Sequence, residues 1–485
     1  MKFRRKYTKK ENIKNIIIPY DLESLSKYDE LEEISYEQMK NDLEEFCYIL
    51  ENCYAGLDAA KSKGLNIETE KNDIFTLLKQ NKTIKISDFA EIIYQRFSPY
   101  ILDTHFSIES SNKKHSFYYR FFTPYRLYFS DLYVIKHDNN FYVYESADEA
   151  IKIGSIIQLK NIDEYLYEYP AKGKNIYRLA LFSDKDESKI SIKIDNKELN
   201  LPLYREPSND ETFSYYIKYY NNAAYIRYNR CCFDNDEEKE QLQKFSNSAD
   251  ECRNKDVIIL DVRGNHGGAD GYSLQFFSDL YFNNKKKSEK FIRKYRSSEK
   301  WIYSVSSVKS AIYSFKKYCD ISLPEVKKAL DKFTKLELKL SKKSQKIIET
   351  SAKSNYKFNK SSYNGKIIIL TDKGVASSGE SVLEQAYLFF KEKNQVIQIG
   401  TNTAGCASFG NLTFYHLSNS GLQVTCGFSD FTKKVNKSNQ FNGEGKGFYP
   451  NYWCMVNDFG KTIAAVLNQT DDEGFLSFIN DLLLQ

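Results

Sequence analysis

The sequence predicts an α/β fold, and three observations carry that reading. Ile367, Ile368, Ile369 and Leu370 form an unbroken apolar run, followed by Asp372 to Gly374 and then by a helical pattern. An apolar run of that length closed by a turn reads as a strand buried on both faces. Val257 to Leu260 repeats the arrangement and runs into the glycine-rich turn Gly264 to Gly268. Shorter strand patterns at Ala223 to Tyr228 and Val396 to Ile399 stand between helical ones, among them the polar stretch Glu237 to Asn254.

Length and composition set the bounds. A chain of 485 residues suggests about three domains. Its 41% hydrophobic and 15% aromatic content argues against disorder. The net charge of +5 marks no polyanion binder, so nucleic acid is not an expected partner. No apolar run reaches the length of a membrane span. The basic start lacks the apolar region of a secretory signal, since Ile16 to Ile18 is too short. The nine cysteines have no C-x-x-C spacing, and Cys231 and Cys232 are adjacent. That usage points to reduced thiols, a cytoplasmic protein, and neither a metal site nor a cofactor. An oligomer is left open.

In chain order, residues 1–112 read as an N-terminal helical region. Leu43, Phe46, Cys47, Leu50 and Cys53 recur at helical spacing, and further helices fit Ile74 to Leu78 and Ile86 to Phe97. The region ends on Asp103-Thr104-His105, a polar cluster between apolar residues. Residues 113–210 are strand-rich, with runs at Tyr125 to Ile135, Asn140 to Tyr144, Ile190 to Ile194 and Leu199 to Leu203. Within them, Ala150 to Ile162 resembles the x-G-D-x-I-x-x-I-N-G stretch of PDZ domains, with Ser155, Lys160 and Ile162 departing from the pattern. Residues 211–485 read as the core. They are interrupted at about 285–360 by a segment with 22 Lys or Arg against 7 Asp or Glu. That segment reads as an inserted helical subdomain, with Val326, Leu330, Phe333 and Leu340 as the apolar positions of one helix. It reads as a solvated basic face, with a lid or an attraction for acidic partners as its functional reading.

Chemistry concentrates where the two buried strands end. Ser377 sits at a helix start, beside unpaired backbone N–H groups and the positive end of the helix dipole. That setting suits an oxyanion. The plain alternative is a capping box, because Ser377-Ser378-Gly379-Glu380 matches S-x-x-E. Gly264 to Gly268 allows backbone N–H groups to approach a ligand. Neither Walker nor G-x-G-x-x-G spacing occurs there, which weighs against nucleotide binding. Phe441 to Asn451 is a turn-rich loop carrying one carboxylate, Glu444.

Three segments together resemble the serine peptidases that include the C-terminal processing peptidases and the tricorn protease core. Leu260-Asp261-Val262-Arg263-Gly264-Asn265-His266-Gly267-Gly268 resembles the family's L-D-L-R-x-N-x-G-G. Gly374 to Glu380 resembles G-x-A-S-A-S-E, whose first serine is the nucleophile. Glu444 to Asn451 resembles E-G-x-G-I-x-P-D. The resemblance implies a crotonase-like ββα core, a peptide or protein substrate, and Ser377 as nucleophile. The processing branch uses a lysine base, and Cys406 stands at that position. The resemblance therefore implies the tricorn-like branch, with His105 as base and Thr104 and Glu444 orienting it. The oxyanion would then meet the N–H of Ser378 and that of Gly267 or Gly268. His266 is a competing base within the oxyanion loop. Cys406 as nucleophile ranks lower, for want of a cationic neighbour in sequence. A ligand- or peptide-binding protein without catalysis is the alternative on the same scaffold, and an acyl-CoA enzyme is a third class.

Overall fold

The computed structural model describes residues 4–7, 26–112, 116–138, 140–205, 213–294, 299–318, 321, 324–343, 346–351, 358, 361–392, 394–435 and 440–483. His115, the apolar patch at 16–18, and Ser322 and Leu323 at the expected helix start lie outside them. The residues group into two compact units, each drawn from separated stretches of chain. The first holds residues 1–123, 295–355 and 406–437, and the second holds 124–294, 356–405 and 438–485. The sequence reading instead divides the chain into consecutive stretches.

In the first unit, four helices, Tyr36–Asn52, Leu57–Ser62, Ile67–Leu78 and Ile86–Phe97, accompany an antiparallel sheet. The helix Tyr36–Asn52 opens with a capping box between Ser35 and Gln38. It buries Met39, Leu43, Phe46 and Leu50, one stripe at helical spacing. Against that stripe lie Phe97, Phe106 and Phe121, together with Tyr415, Val424 and Cys426 from the sheet. The sheet runs Arg4–Tyr7, Ile347–Ser351, Glu299–Tyr303, Gln423–Asp430, Ser107–Glu109, Tyr118–Arg120, and Phe409–His416 also pairs with Gln423–Asp430. The basic segment is thus not purely helical. It supplies the strands Glu299–Tyr303 and Ile347–Ser351 as well as the helices Val305–Tyr318 and Pro324–Lys343. Phe333 and Leu340 are buried and Leu330 is half-buried, as helical spacing requires.

The second unit is built on a six-stranded sheet. Its order is Tyr215–Tyr220, Ala223–Tyr228, Val257–Asp261, Lys366–Thr371, Val396–Gly400, Tyr452–Trp453. The first pair is antiparallel and the rest are parallel. Continuous apolar strands need both faces covered. On one face Tyr225, Ile259, Ile368 and Ile397 meet Ile463 and Ile479 of the C-terminal helices Phe459–Leu467 and Glu473–Leu483. On the other, Tyr228 stacks on Phe245 at 3.9 Å between ring centres, and Phe245 stacks on Phe276 at 4.9 Å. The strand-rich stretch of this unit forms a four-stranded and a three-stranded sheet. Arg126–His137 and Asn140–Ser146 make a hairpin, with Asp138 at φ 52°. Ile176–Ser183, the central partner of that hairpin, has no counterpart in the sequence reading. The fold is α/β.

Candidate active site

The parallel strands Val257–Asp261 and Lys366–Thr371 lie side by side and deliver their following loops to one end of the sheet. Crevices outside the carboxyl ends of parallel strands are where such sheets build sites. Ser377 begins the helix Ser378–Phe389 with φ 54° and ψ −122°, and its side chain makes no capping hydrogen bond. An N-cap serine is normally extended. A non-glycine residue at positive φ costs about 1–3 kcal/mol and persists only where its surroundings enforce it. The capping box of the alternative reading does not form. Glu380, fully buried, spends its carboxylate on Thr403 Oγ1 at 2.5 Å and the N–H of Gly405 at 2.9 Å.

The loop after Asp261 is fixed against this turn by buried polar bonds. Asp261 accepts from Arg263 Nη2 at 2.7 Å, Tyr225 Oη at 2.6 Å and Arg227 Nη1 at 3.1 Å. Burial opposes its ionisation, yet the two guanidinium groups hold its carboxyl well below the usual carboxylate range. Asp372 Oδ1 accepts from the N–H groups of Gly264 and Gly374, at 3.0 and 2.9 Å. Asn265 accepts from the N–H of Ala376 at 2.9 Å through its carbonyl, and its Oδ1 accepts from Gly267 N–H at 3.0 Å. Gly267 has φ 100°, and an added Cβ would stand 2.9 Å from Ser377 Cβ, Ala376 O and Ser378 N. Glycine is required there by both conformation and space.

Sequence reasoning offered Gly267 or Gly268 as the second oxyanion donor. The N–H of Gly267 is occupied by Asn265. Among the described residues neither Gly268 N–H nor Ser378 N–H has an acceptor. Gly268 is held on both sides: Cys231 pairs with it, and Ser378 Oγ donates to its carbonyl at 2.8 Å. Ser377, Ser378, Gly267 and Gly268 are thus brought together within the second unit. Glu444, half-buried, also belongs to that unit. Its loop is tied to the 400–405 loop through Gly445 N–H to Gly405 O at 2.8 Å and Asn402 Nδ2 to Lys446 O at 3.1 Å.

His105 and Thr104 belong to the first unit, in the turn before the strand Ser107–Glu109. Thr104 is buried. The N–H of His105 donates to Asp103 Oδ1 at 2.8 Å, and its ring Nδ1 lies 3.6 Å from the same oxygen. Ring Nε2 lies 3.2 Å from Cys406 Sγ. Burial works against a charged ring, but the Cys406 sulfur and the Asp103 carboxylate outweigh it and hold the His105 pKa well above 6.5. Cys406 therefore has an imidazole neighbour that its local sequence lacks. The two residues are 301 positions apart, so no spacing motif could have found the pair. Of the other histidines, His266 and His137 are exposed, and His416 is buried with Nδ1 at 3.1 Å from Gly421 O.

Residues 222–452 match Peptidase family S41, a span that includes both loops and Ser377. No curated protein matches the chain in sequence. Among solved structures, mature CPAF aligns at 12% identity over 93% of this chain and 97% of its own, with a TM-score of 0.43. The photosystem II D1 C-terminal processing protease aligns at 13% identity over 86% and 92%, with a TM-score of 0.34. The tricorn protease aligns at 15% identity over 93% of this chain and 37% of its own, with a TM-score of 0.33. At such scores the assignment rests on the 222–452 match. By that match residues 222–452 are similar to peptidase family S41, which supports a serine-type peptidase.

Proposed function

We propose that the chain hydrolyses peptide bonds through an acyl-enzyme on Ser377, with His105 as the base. The observation that carries this reading is the strained turn of Ser377. A serine held at φ 54° without a capping role, its Cβ against Gly267, is built for something other than starting a helix. Ser377 Oγ attacks the scissile carbonyl, and His105 takes the proton and returns it to the leaving amine. The N–H groups of Ser378 and Gly268 receive the oxyanion, each worth about 2.7–4 kcal/mol where such donors have been removed. Thr104 and Glu444 orient and stabilise the imidazolium, in the manner of a third triad member.

His105 and Ser377 belong to different units, so the mechanism requires the ring to reach the hydroxyl. The finer architecture is part of the same proposal: a crotonase-like core in residues 211–485, a PDZ-like module in 113–210 that presents peptide, and a helical region in 1–112 that carries the base. No described helix is long and apolar enough to cross a membrane. The eight described cysteines are free, which suits a reducing compartment such as the cytoplasm.

Hydrolysis of a peptide library tests the reading. Ser377→Ala and His105→Gln should each lower the rate by roughly 10⁴-fold or more. Undiminished hydrolysis in either variant removes that residue from the mechanism. A purified chain that binds peptides and cleaves none would instead be the binding protein of the alternative reading.

A further inference from the structure

Among the described residues Cys406 is a thiol that stands against an imidazole, and the Ser377 chemistry has no task for its sulfur. Cys406 Sγ is 3.2 Å from His105 Nε2, and the far side of the same ring faces Asp103, whose Oδ1 is 3.6 Å from Nδ1. Asp103 is fully buried and also fixes the turn by accepting the His105 N–H at 2.8 Å. A carboxylate behind an imidazole and a thiol in front of it is the arrangement that ionises a cysteine. We propose that Cys406 is a reactive thiolate, paired with His105, and the site at which small soft electrophiles, hydroperoxides among them, modify this protein.

The contrast with the other thiols supports selectivity. Burial pushes Cys47, Cys231 and Cys252 up to about 12, so these stay protonated; Cys406 is buried too, at 8% exposure, and differs from them in its imidazole neighbour. Cys426 is raised further by burial and lies beside Cys53 and Thr413. In the resting Cys406 pair the thiol proton sits on Nε2, leaving a thiolate and an imidazolium that Asp103 stabilises, and His105 serves Ser377 as a base only once that proton has returned to the sulfur. With iodoacetamide the sulfur–carbon bond forms, the carbon–iodine bond breaks and iodide leaves. With a hydroperoxide the sulfur–oxygen bond forms and the oxygen–oxygen bond breaks. The sulfur is oxidised to sulfenic acid, and the peroxide is reduced to an alkoxide or hydroxide that takes up a proton. Either adduct adds bulk at Nε2, the atom that the Ser377 mechanism needs. Loss of hydrolysis on modification therefore rests on the proposed role of His105, whereas the labelling itself does not.

The experiment is a time course of iodoacetamide labelling at neutral pH, read by intact mass and peptide mapping. In the wild type, Cys406 should react at least about tenfold faster than Cys231 or Cys252, and His105→Gln should remove that advantage. Ser377→Ala should leave the labelling rate unchanged, which separates this proposal from the peptidase reading. A second measurement does not depend on how His105→Gln folds: the thiolate ultraviolet absorbance of the wild type should fall in Cys406→Ser. Labelling of Cys406 no faster than of Cys231, an undiminished rate in His105→Gln, or no thiolate band lost in Cys406→Ser would each overturn the proposal.

Discussion

Ser377 holds its place through its neighbours, and its side chain makes no capping bond to its own helix. Replacing it should therefore separate activity from stability. Ser377→Ala should remain within about 0.5 kcal/mol of wild type by denaturant unfolding, as for a side chain without structural bonds. Ser377→Gly should be at least as stable, because glycine relieves positive-φ strain. A loss of about 1–2 kcal/mol in Ser377→Ala would restore the capping reading. Ser378 is the complementary case. Its hydroxyl holds the Gly268 carbonyl at 2.8 Å, while its N–H survives any substitution but proline. Ser378→Ala should lower kcat by roughly tenfold with KM little changed, since a misaimed oxyanion donor affects the transition state alone. A change confined to KM would assign Ser378 to substrate binding.

Two strands carry the site, and the polar residues at their ends decide whether the loops hold. Asp261→Asn would leave Arg227 and Arg263 buried beside a neutral amide, and should cost about 3–5 kcal/mol. Because the Asp261 carboxyl is held below the ordinary range, the unfolded chain binds its proton first on acidification. Its stabilising share is intact above about pH 4 and is lost as the pH falls through the folded-state value. Stability measured from pH 6 downward should thus fall less steeply in Asp261→Asn than in wild type. Gly267→Ala should cost about 1–3 kcal/mol and silence hydrolysis, as its Cβ meets Ser377 and Ser378 at 2.9 Å. These strands were legible in the sequence because apolar runs closed by turn residues have few other solutions. S-x-x-E spacing left the capping box open as an alternative because it does not record φ, and Glu380 finds Thr403 across the fold instead. The choice between Gly267 and Gly268 depends on one Asn265 hydrogen bond, which no pattern of glycines encodes.

The chain passes between its two units five times, so consecutive domains could not be read off a sequence whose signals are local. The basic segment shows the consequence. Its charge marks it as distinct, yet its strands Glu299–Tyr303 and Ile347–Ser351 pair with each other, and Glu299–Tyr303 also pairs with Gln423–Asp430. Deleting residues 295–355 should therefore abolish the cooperative unfolding of the first unit. A variant that still melts with an intact transition would mark the segment as a separable insertion. The pairing of His105 with Cys406 was equally out of reach, because only the folded chain brings them together. The central claim, an activated Ser377 served by His105, is tested most directly by a fluorophosphonate probe read by intact mass and peptide mapping. The account predicts a single adduct on Ser377, absent from Ser377→Ala and formed at least about 100-fold more slowly in His105→Gln. No adduct on Ser377, or equal labelling of the His105→Gln protein, would contradict it.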